Sequence, residues 1–543
     1  MTTRRDLLTA LLGAPLAAAA CRRQAQWSYD GAIVGQDAPH GHRLRNASEN
    51  TVHSRVERAQ IVVVGAGPSG LACAHALQQS MPERDAIVVL ELESVVGGTS
   101  RSGQNQITRF PWGAHYVPTP LRENQDFVAL LRAMNVLESN ANDRVVVREE
   151  FLVRDLDERI FFEGHWHDGL YPQAGATEED RAQLLRFQQE INRWVRFRGH
   201  DGRRAFALPS SLCSADERVR VLDSQTMAQW LDARGFTSSR LRWLVDYACR
   251  DDYGLKASRC SAWAGLFYFA SRVRNPGEPA EELIAFPEGN GRFVQWLSDR
   301  LGDRVRTQQL VRSIALREDG GVSIHCEDLA RGDTLRIDAQ RVVLAIPSFV
   351  AERLTPVVRA TAAAPITRSY SPWIVANLTL SSRPTCHDGS PEMAWDNVLY
   401  DSPALGYVCA THQSLRDHGP TVLTWYLPLC GDDPASERRK LLAMDWRACA
   451  DAAVSDLVRA HPDLPKRVTR VDVMRWGHAM ARPVPGFLAL RGDPDGTTQD
   501  PRVFVAHTDR SGLALFEESY DRGVLTARAV LRSLAAPASE PVA

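Results

Sequence analysis

The sequence predicts an α/β fold whose ordered part begins with a βαβ unit near residue 60. Three observations carry that prediction. Ala59-Gln60-Ile61-Val62-Val63-Val64 is an unbroken run rich in β-branched residues, as expected of a parallel strand buried on both faces. Gly65-Ala66-Gly67-Pro68-Ser69-Gly70 follows at once and runs into the helix-forming stretch Leu71 to Leu77. Ala86-Ile87-Val88-Val89-Leu90 then reads as a second strand, closed by Glu91. Strand, glycine loop, helix, strand and acid in this order make a Rossmann-like unit, whereas the glycines alone would be a weak signal.

Each part of the unit has a physical task. Gly65 permits the tight turn out of the strand, Gly67 lets backbone approach a pyrophosphate, and Gly70 lets helix and strand pack closely. The N-terminus of the helix that follows the loop offers free N–H groups and a positive dipole end that attract phosphate. Glu91 is placed to accept hydrogen bonds from an adenosine ribose, and a carboxylate there disfavours a 2′-phosphate, which argues against NADP.

Bulk composition narrows the class. A chain of 543 residues suggests two to four structural units. With 44% hydrophobic and 24% charged residues it has ordinary globular composition. A net charge of -2 gives no field that would draw nucleic acid or an acidic membrane. The ten cysteines form no CxxC pair and no cluster with histidine, so no metal site is expected, while one or two disulfides stay open. Only three of the 64 basic residues are lysines: Lys256, Lys440 and Lys466.

The first residues read as an address. Thr3-Arg4-Arg5-Asp6-Leu7-Leu8 resembles a twin-arginine export signal, which implies passage through the twin-arginine translocase. The apolar stretch Leu7 to Ala20 is shorter than the ~20 residues a bilayer span needs and suits a signal-peptide core. Ala18-Ala19-Ala20-Cys21 looks like a lipoprotein box, though it lacks the usual Leu three places before the cysteine. Two outcomes stay open, a lipid anchor on Cys21 or cleavage without lipid, giving a membrane-anchored lipoprotein or a periplasmic protein. Residues 22–58 read as a polar linker, and 536–543 as a tail.

Beyond Glu91 the chain resembles the flavin amine oxidase, phytoene desaturase and protoporphyrinogen oxidase superfamily. The resemblance rests on Val96-Gly97-Gly98-Thr99-Ser100-Arg101, where the family usually has arginine at the position of Thr99 and Arg101 is the candidate substitute. It continues through Trp112-Gly113-Ala114-His115-Tyr116, similar to the segment beside the isoalloxazine ring. Phe286 to Gly291 is similar to a turn before a helix, and Val305 to Val311 to a strand whose backbone at Val311 meets adenine. Arg341 to Pro347 matches a family strand end. Arg502 to Ala506, the loop 507–515 and the helix opening at Phe516-Glu517 are similar to the C-terminal flavin motif, with His507 standing where glycine is usual.

The resemblance spans about residues 59–535 and implies a non-covalently bound FAD. Asp509 is the candidate acid near its ribityl chain or phosphate, and the helix at Phe516 aims its N-terminus at the flavin N1–O2 edge. It also implies a discontinuous Rossmann-like FAD-binding domain (59–150, 283–350 and 468–535) and an α+β substrate domain of mixed sheet and helices (151–282 and 351–467). Within the latter, 178–185 has helical spacing, and 374–380, 406–410 and 422–426 read as strands.

The implied activity is oxidation of an amine or related small molecule by hydride transfer to flavin N5, with dioxygen or a quinone as acceptor. The strand Trp373 to Leu380 contains no lysine, where amine oxidases usually place one, and this departure favours a second reading, a desaturase or ring oxidase of an apolar skeleton. A third is a flavin-binding assembly protein without turnover. Trp476 is a candidate wall for a cationic substrate, His478 a candidate general base, and His115 a candidate beside the ring, each with core packing as its bland alternative. Asp251 and Asp252 are candidates for amine recognition or simple solvated caps.

Overall fold

The computed structural model describes residues 27–46, 53–138, 145–280, 282–358, 367–386 and 393–535. Arg4, Arg5, Cys21 and the tail 536–543 lie outside them.

Five parallel strands form the first sheet, in the order Val305–Arg306, Ile87–Leu90, Ile61–Val64, Arg341–Leu344 and Val503–Val505. The β-branched runs face two cores by alternation. Ile61, Val63, Val89 and Val343 meet the helices Pro68–Ser80, Gly291–Leu301 and Phe516–Ala535. Val62, Val64, Val88 and Val342 meet a four-stranded sheet of Gln309–Leu316, Val322–Asp328, Asp333–Ala339 and Arg55–Arg58. Burial on both faces is why the strands are apolar throughout rather than alternating.

Two boundaries differ from the sequence reading. The single strand expected over 305–311 is two, because Gln308 (φ 57°) turns the chain from the parallel sheet into the four-stranded one. Val468–Ala481, expected with the FAD domain, belongs to an eight-stranded sheet, since it pairs antiparallel with Tyr370–Leu380 along almost its whole length.

That sheet runs Ile33–Val34, Val468–Ala481, Tyr370–Leu380, Thr421–Pro428, Gly406–Cys409, Asp396–Leu399, Glu158–Phe162 and His165–Asp168. Its outer face packs on the helix Trp446–Leu457. Its inner face presents Trp373, Val375, Val398, Val408, Tyr426 and Trp476 toward the loop 110–116. A helical layer, including Glu178–Arg196, Ser239–Tyr253 and Ala262–Ala270, has its own core.

The linker expected over 22–58 is structured where it is described. Ile33–Val34 adds to the edge of the eight-stranded sheet, Ala38–His42 is a short helix, and Arg55–Arg58 completes the four-stranded sheet. Both sheet edges offer unpaired backbone groups, and a polar segment satisfies them as well as an apolar one. The nine described cysteines are all unbridged, and among the described residues no helix is long and apolar enough to cross a membrane.

Candidate active site

The glycine loop sits where the parallel strand Ile61–Val64 ends, and its geometry matches the tasks read from the sequence. Gly65 has φ 101°, a region side chains avoid. A Cβ on Gly70 would lie 1.9 Å from the Gly65 carbonyl oxygen. A Cβ on Gly67 would meet nothing within 4 Å. Gly67 therefore fronts open space, the space a phosphate would take.

That space is a long cavity of about 930 Å³, at the upper end of the ~300–1,000 Å³ usual for small-molecule sites. Gly65, Gly67, Pro68, Ser69 and Glu91 line one end. Gly98, Thr99, Arg101, Ala114 and Val311 also line it, as do Trp476, His478, Asp509 and Phe516. The remaining candidates stand behind this wall. Ala66 N–H donates to Glu91 Oε2 (2.7 Å), and Gly97 N–H to the Ala66 carbonyl (2.9 Å). Gly113 is pressed on Thr99, whose carbonyl oxygen would lie 2.2 Å from an added Cβ.

Two helix N-termini meet at the cavity. Helices Pro68–Ser80 and Phe516–Ala535 cross where Gly523 would place a Cβ 2.3 Å from the Ser69 carbonyl oxygen, and Ser69 Oγ lies 2.8 Å from Ser519 Oγ. Both positive dipole ends thus face one volume. Arg45, Arg353 and Arg438 also line it, and among the described residues they have no hydrogen-bond or ion-pair partner. Burial raises the Glu91 carboxyl above its usual range, against the N–H groups of Glu93 and Ala66 that bond it. A carboxylate offers about four acceptor sites, so two remain for hydroxyl donors.

Asp509 is 1% exposed. Its Oδ2 accepts from Ser348 N–H (2.7 Å) and Tyr370 OH (2.5 Å), and its Oδ1 faces His507 Nδ1 at 3.3 Å. Burial opposes its charge, but His507 and these donors outweigh burial and hold it below the usual carboxylate range. Glu517 points away from the cavity into a second, far smaller one beside Ser271 and Arg272, where burial pushes it up to about 7.

Trp476 spends its indole N–H on the Trp112 carbonyl (2.7 Å), and the Arg101 guanidinium stacks over its ring at 5.2 Å. Arg101 thus takes up part of the aromatic surface expected for a substrate cation. His478 lies against Phe349 (4.5 Å) and Tyr370 (5.6 Å). Burial, and then Arg438, lower its pKa to about 4, so it is neutral at pH 7. His115 is stacked on Tyr426 (4.9 Å) beside Trp395 and Tyr116, and burial lowers it to about 4 as well.

Behind Ala114 and Trp476 the inner face of the eight-stranded sheet carries a second set of groups, of which the sequence reading named Asp251 and Asp252 but not Asp396 or Glu158. Asp396 and Glu158 are register partners in adjacent parallel strands, and Asp396 shares its face with inward Val398. Burial, then Asp251 and Glu158, push Asp396 well up; burial, then Asp157, push Glu158 up to about 7. Asp251 accepts from Tyr116 OH at 3.3 Å and is pushed up to about 7 by burial and then by Asp252. Asp252 is no solvated cap: Arg272 Nη2 holds it at 3.0 and 2.8 Å. Among the described residues Asp396, Glu158 and Asp251 form no ion pair, although the charges of Arg272 and Arg250 act on Asp251 from nearby. The one available signal was an acid inside an apolar strand, as in Asp396-Asn397-Val398-Leu399. All three lysines are exposed, and none lines the cavity.

Open space at Gly67, two helix N-termini, unpartnered arginines and a hydroxyl-accepting Glu91 fit a flavin nucleotide. The family model for flavin-containing amine oxidoreductases matches residues 68–531. The chain belongs to that family. It is a flavin-dependent oxidoreductase, and a flavin held by these residues would supply the two-electron chemistry.

Solved structures share the fold. A putrescine oxidase bound to putrescine has a TM-score of 0.63 at 17% identity, covering 88% of this chain and 100% of its own. Cyclohexylamine oxidase from Brevibacterium oxydans has 0.59 at 18%, covering 88% and 99%. A CLA-producing fatty acid isomerase from P. acnes has 0.56 at 15%, covering 86% and 98%. No curated protein sequence matches the chain.

Proposed function

We propose that the protein binds FAD non-covalently and oxidises a cationic amine, which approaches from the inner face of the eight-stranded sheet. The observation that carries this reading is the group Asp396, Glu158 and Asp251, three half-buried carboxyls that form no ion pair among the described residues, set among Tyr116, Tyr426 and Trp395. Buried carboxyls left uncompensated are costly, and an incoming ammonium supplies the missing charge. Aromatic faces add cation–π attraction. The bound ammonium releases a nitrogen proton to water, and the neutral amine then loses a hydride from its α-carbon, which a bound flavin would take up; the resulting iminium is hydrolysed by water to an aldehyde and ammonium. Dioxygen or a quinone takes the two electrons. His478, neutral at pH 7, and Trp476 wall the cavity at the junction of the two regions.

The test is anaerobic mixing of the purified holoprotein with mono-, di- and polyamines while the flavin absorbance is followed. Bleaching by amines, weakened in Asp396→Asn, supports the reading. Bleaching by an apolar, lipid-like substrate alone transfers it to the desaturase or ring oxidase reading, which the lysine-free cavity favours. A holoprotein that no substrate reduces returns the third reading, flavin binding without turnover.

Export by the twin-arginine route is part of the proposal, supported by Arg4-Arg5 and the apolar stretch after them. Cell fractionation of the full chain beside Arg4→Lys/Arg5→Lys tests it, with the variant expected to stay in the cytoplasm. Cys21→Ala tests the lipid anchor by release from the membrane fraction.

A further inference from the structure

Residues 27–46 lie across the long cavity as a strap. Ile33–Val34 pairs parallel to Val468–Ala481, with Ile33 opposite Val473 and Val34 opposite Met474. The next residues of that strand, Arg475 to His478, wall the cavity. The strap then leaves the sheet at Gly35 and reaches the acid loop at the other side. There Asp37 N–H donates to Glu93 Oε1 (2.8 Å), and Asp37 Oδ1 accepts from His40 N–H (3.2 Å), which caps the helix Ala38–His42. Gly41 faces Leu92, at a distance where an added Cβ would make ordinary contact (3.5 Å). A third attachment is the ion pair of Arg43 with Glu327 (3.0 Å) on the four-stranded sheet. Between these anchors Gln36, Asp37, Gly41, His42 and Arg45 form part of the cavity wall.

This segment lies outside the span matched by the family model, which begins at residue 68. We propose that the strap is a component of the cofactor site, and that it governs how fast FAD leaves. The proposal rests on the reading of the cavity as an FAD site.

The physical argument has two parts. First, the strap joins the strand that carries Trp476 to the loop that carries Glu91 and Glu93, so it spans the cavity from one wall to the other. It places Arg45, a guanidinium without a partner among the described residues, on the cavity surface, where a phosphate or its counter-charge belongs. Second, its two halves are held unequally. Residues 27–34 are firmly seated: Tyr29 is buried and donates to Asp451, Asp30 and Ala32 bond along Val468–Ala481, and the Trp27 carbonyl accepts from Arg447. Beyond Gly35 the ties are the Asp37 N–H, the packing of Leu44 and one half-exposed ion pair, the last worth about 0–1 kcal/mol. This second half, held lightly, opens while the sheets beneath stay folded. It therefore acts on dissociation of a ligand beneath it rather than on the fold.

The test uses the holoprotein and reads flavin release, not turnover. The full chain, a variant lacking only the lightly held residues 36–45, Val34→Pro and Arg45→Ala are each diluted into a flavin-scavenging protein, and the rise of free-flavin fluorescence is timed. Release about tenfold faster in the deletion and several-fold faster in Val34→Pro and Arg45→Ala is the expected result, since affinity changes of this kind fall mostly on the off-rate. The thermal unfolding of the flavin-free forms is measured alongside and is expected to stay within a few degrees of the parent. Equal release rates in parent and deletion overturn the proposal, as does faster release that only tracks a loss of stability in the flavin-free protein. A full chain that holds no FAD overturns the reading of the cavity itself, and the two failures are thereby told apart.

Discussion

The cavity at the glycine loop and the inner face of the eight-stranded sheet meet at Trp476, and they carry opposite charge. The cavity has two helix N-termini and three arginines without partners. The inner face has Asp396, Glu158 and Asp251, which form no ion pair among the described residues. Each region is incomplete in the sense opposite to the other, so each calls for a ligand of opposite sign: phosphates on one side, a cation on the other. They differ also in construction. At the glycine loop and Glu91 the first is made by one contiguous stretch of chain, whereas the second is made of side chains brought together from strands and a helix far apart in the chain.

The largest expected effect breaks the first region alone. Gly70→Ala puts a methyl 1.9 Å from the Gly65 carbonyl, a backbone atom that cannot step aside. The purified variant should carry at least about tenfold less flavin, read from the ratio of flavin to protein absorbance. Next is a cation on the acid side. Arg272 and Asp252 are 10% and 4% exposed, and Arg272→Ala leaves a buried carboxylate unpaired, at a cost of about 3–5 kcal/mol in denaturant unfolding.

A smaller effect depends on pH, and its sign follows from Asp251. Its carboxyl is raised from 3.8 to about 7, so between these values the folded protein holds a proton that the unfolded chain has released. Stability conferred by that proton is lost as pH rises through this window, by at most about 1.4 kcal/mol per pH unit. Asp251→Asn removes this group's share of the dependence and leaves that of Glu158 and Glu517. It should match the parent at pH 4 and exceed it at pH 8 in thermal unfolding without substrate, and it should raise the KM for an amine. The smallest effect lies at the junction. Trp476→Phe loses the hydrogen bond to the Trp112 carbonyl, worth about 1 kcal/mol, and a few-fold change in flavin affinity measured by fluorescence titration would report it.

The same contrast explains what the sequence made legible. The strand, loop, helix and acid from Ile61 to Glu91 were readable because each task falls on consecutive residues with distinctive types. Phe516 was readable as a helix start, and the helix does begin there. Asp396, Glu158 and Asp251 were not assembled, because only register and helix packing bring positions 158, 251 and 396 together. The strap 27–46 read as linker because its order comes from the edge of a sheet more than 400 residues later and from Glu93. The chain turn at Gln308 was hidden because Val305 to Val311 has a strand's composition on both sides of it.

The placement of the lysines bears on survival in use. Oxidation of a primary amine ends in an aldehyde, and aldehydes condense with primary amines. Lys256, Lys440 and Lys466 all stand on the outer surface, away from the cavity and from the acid face. A product released between those walls meets arginine, tyrosine and carboxyl groups but no lysine amine with which to form a Schiff base. If the product is an aldehyde, as proposed above, the cavity walls offer it no lysine, and Schiff-base formation falls on the three exposed lysines instead.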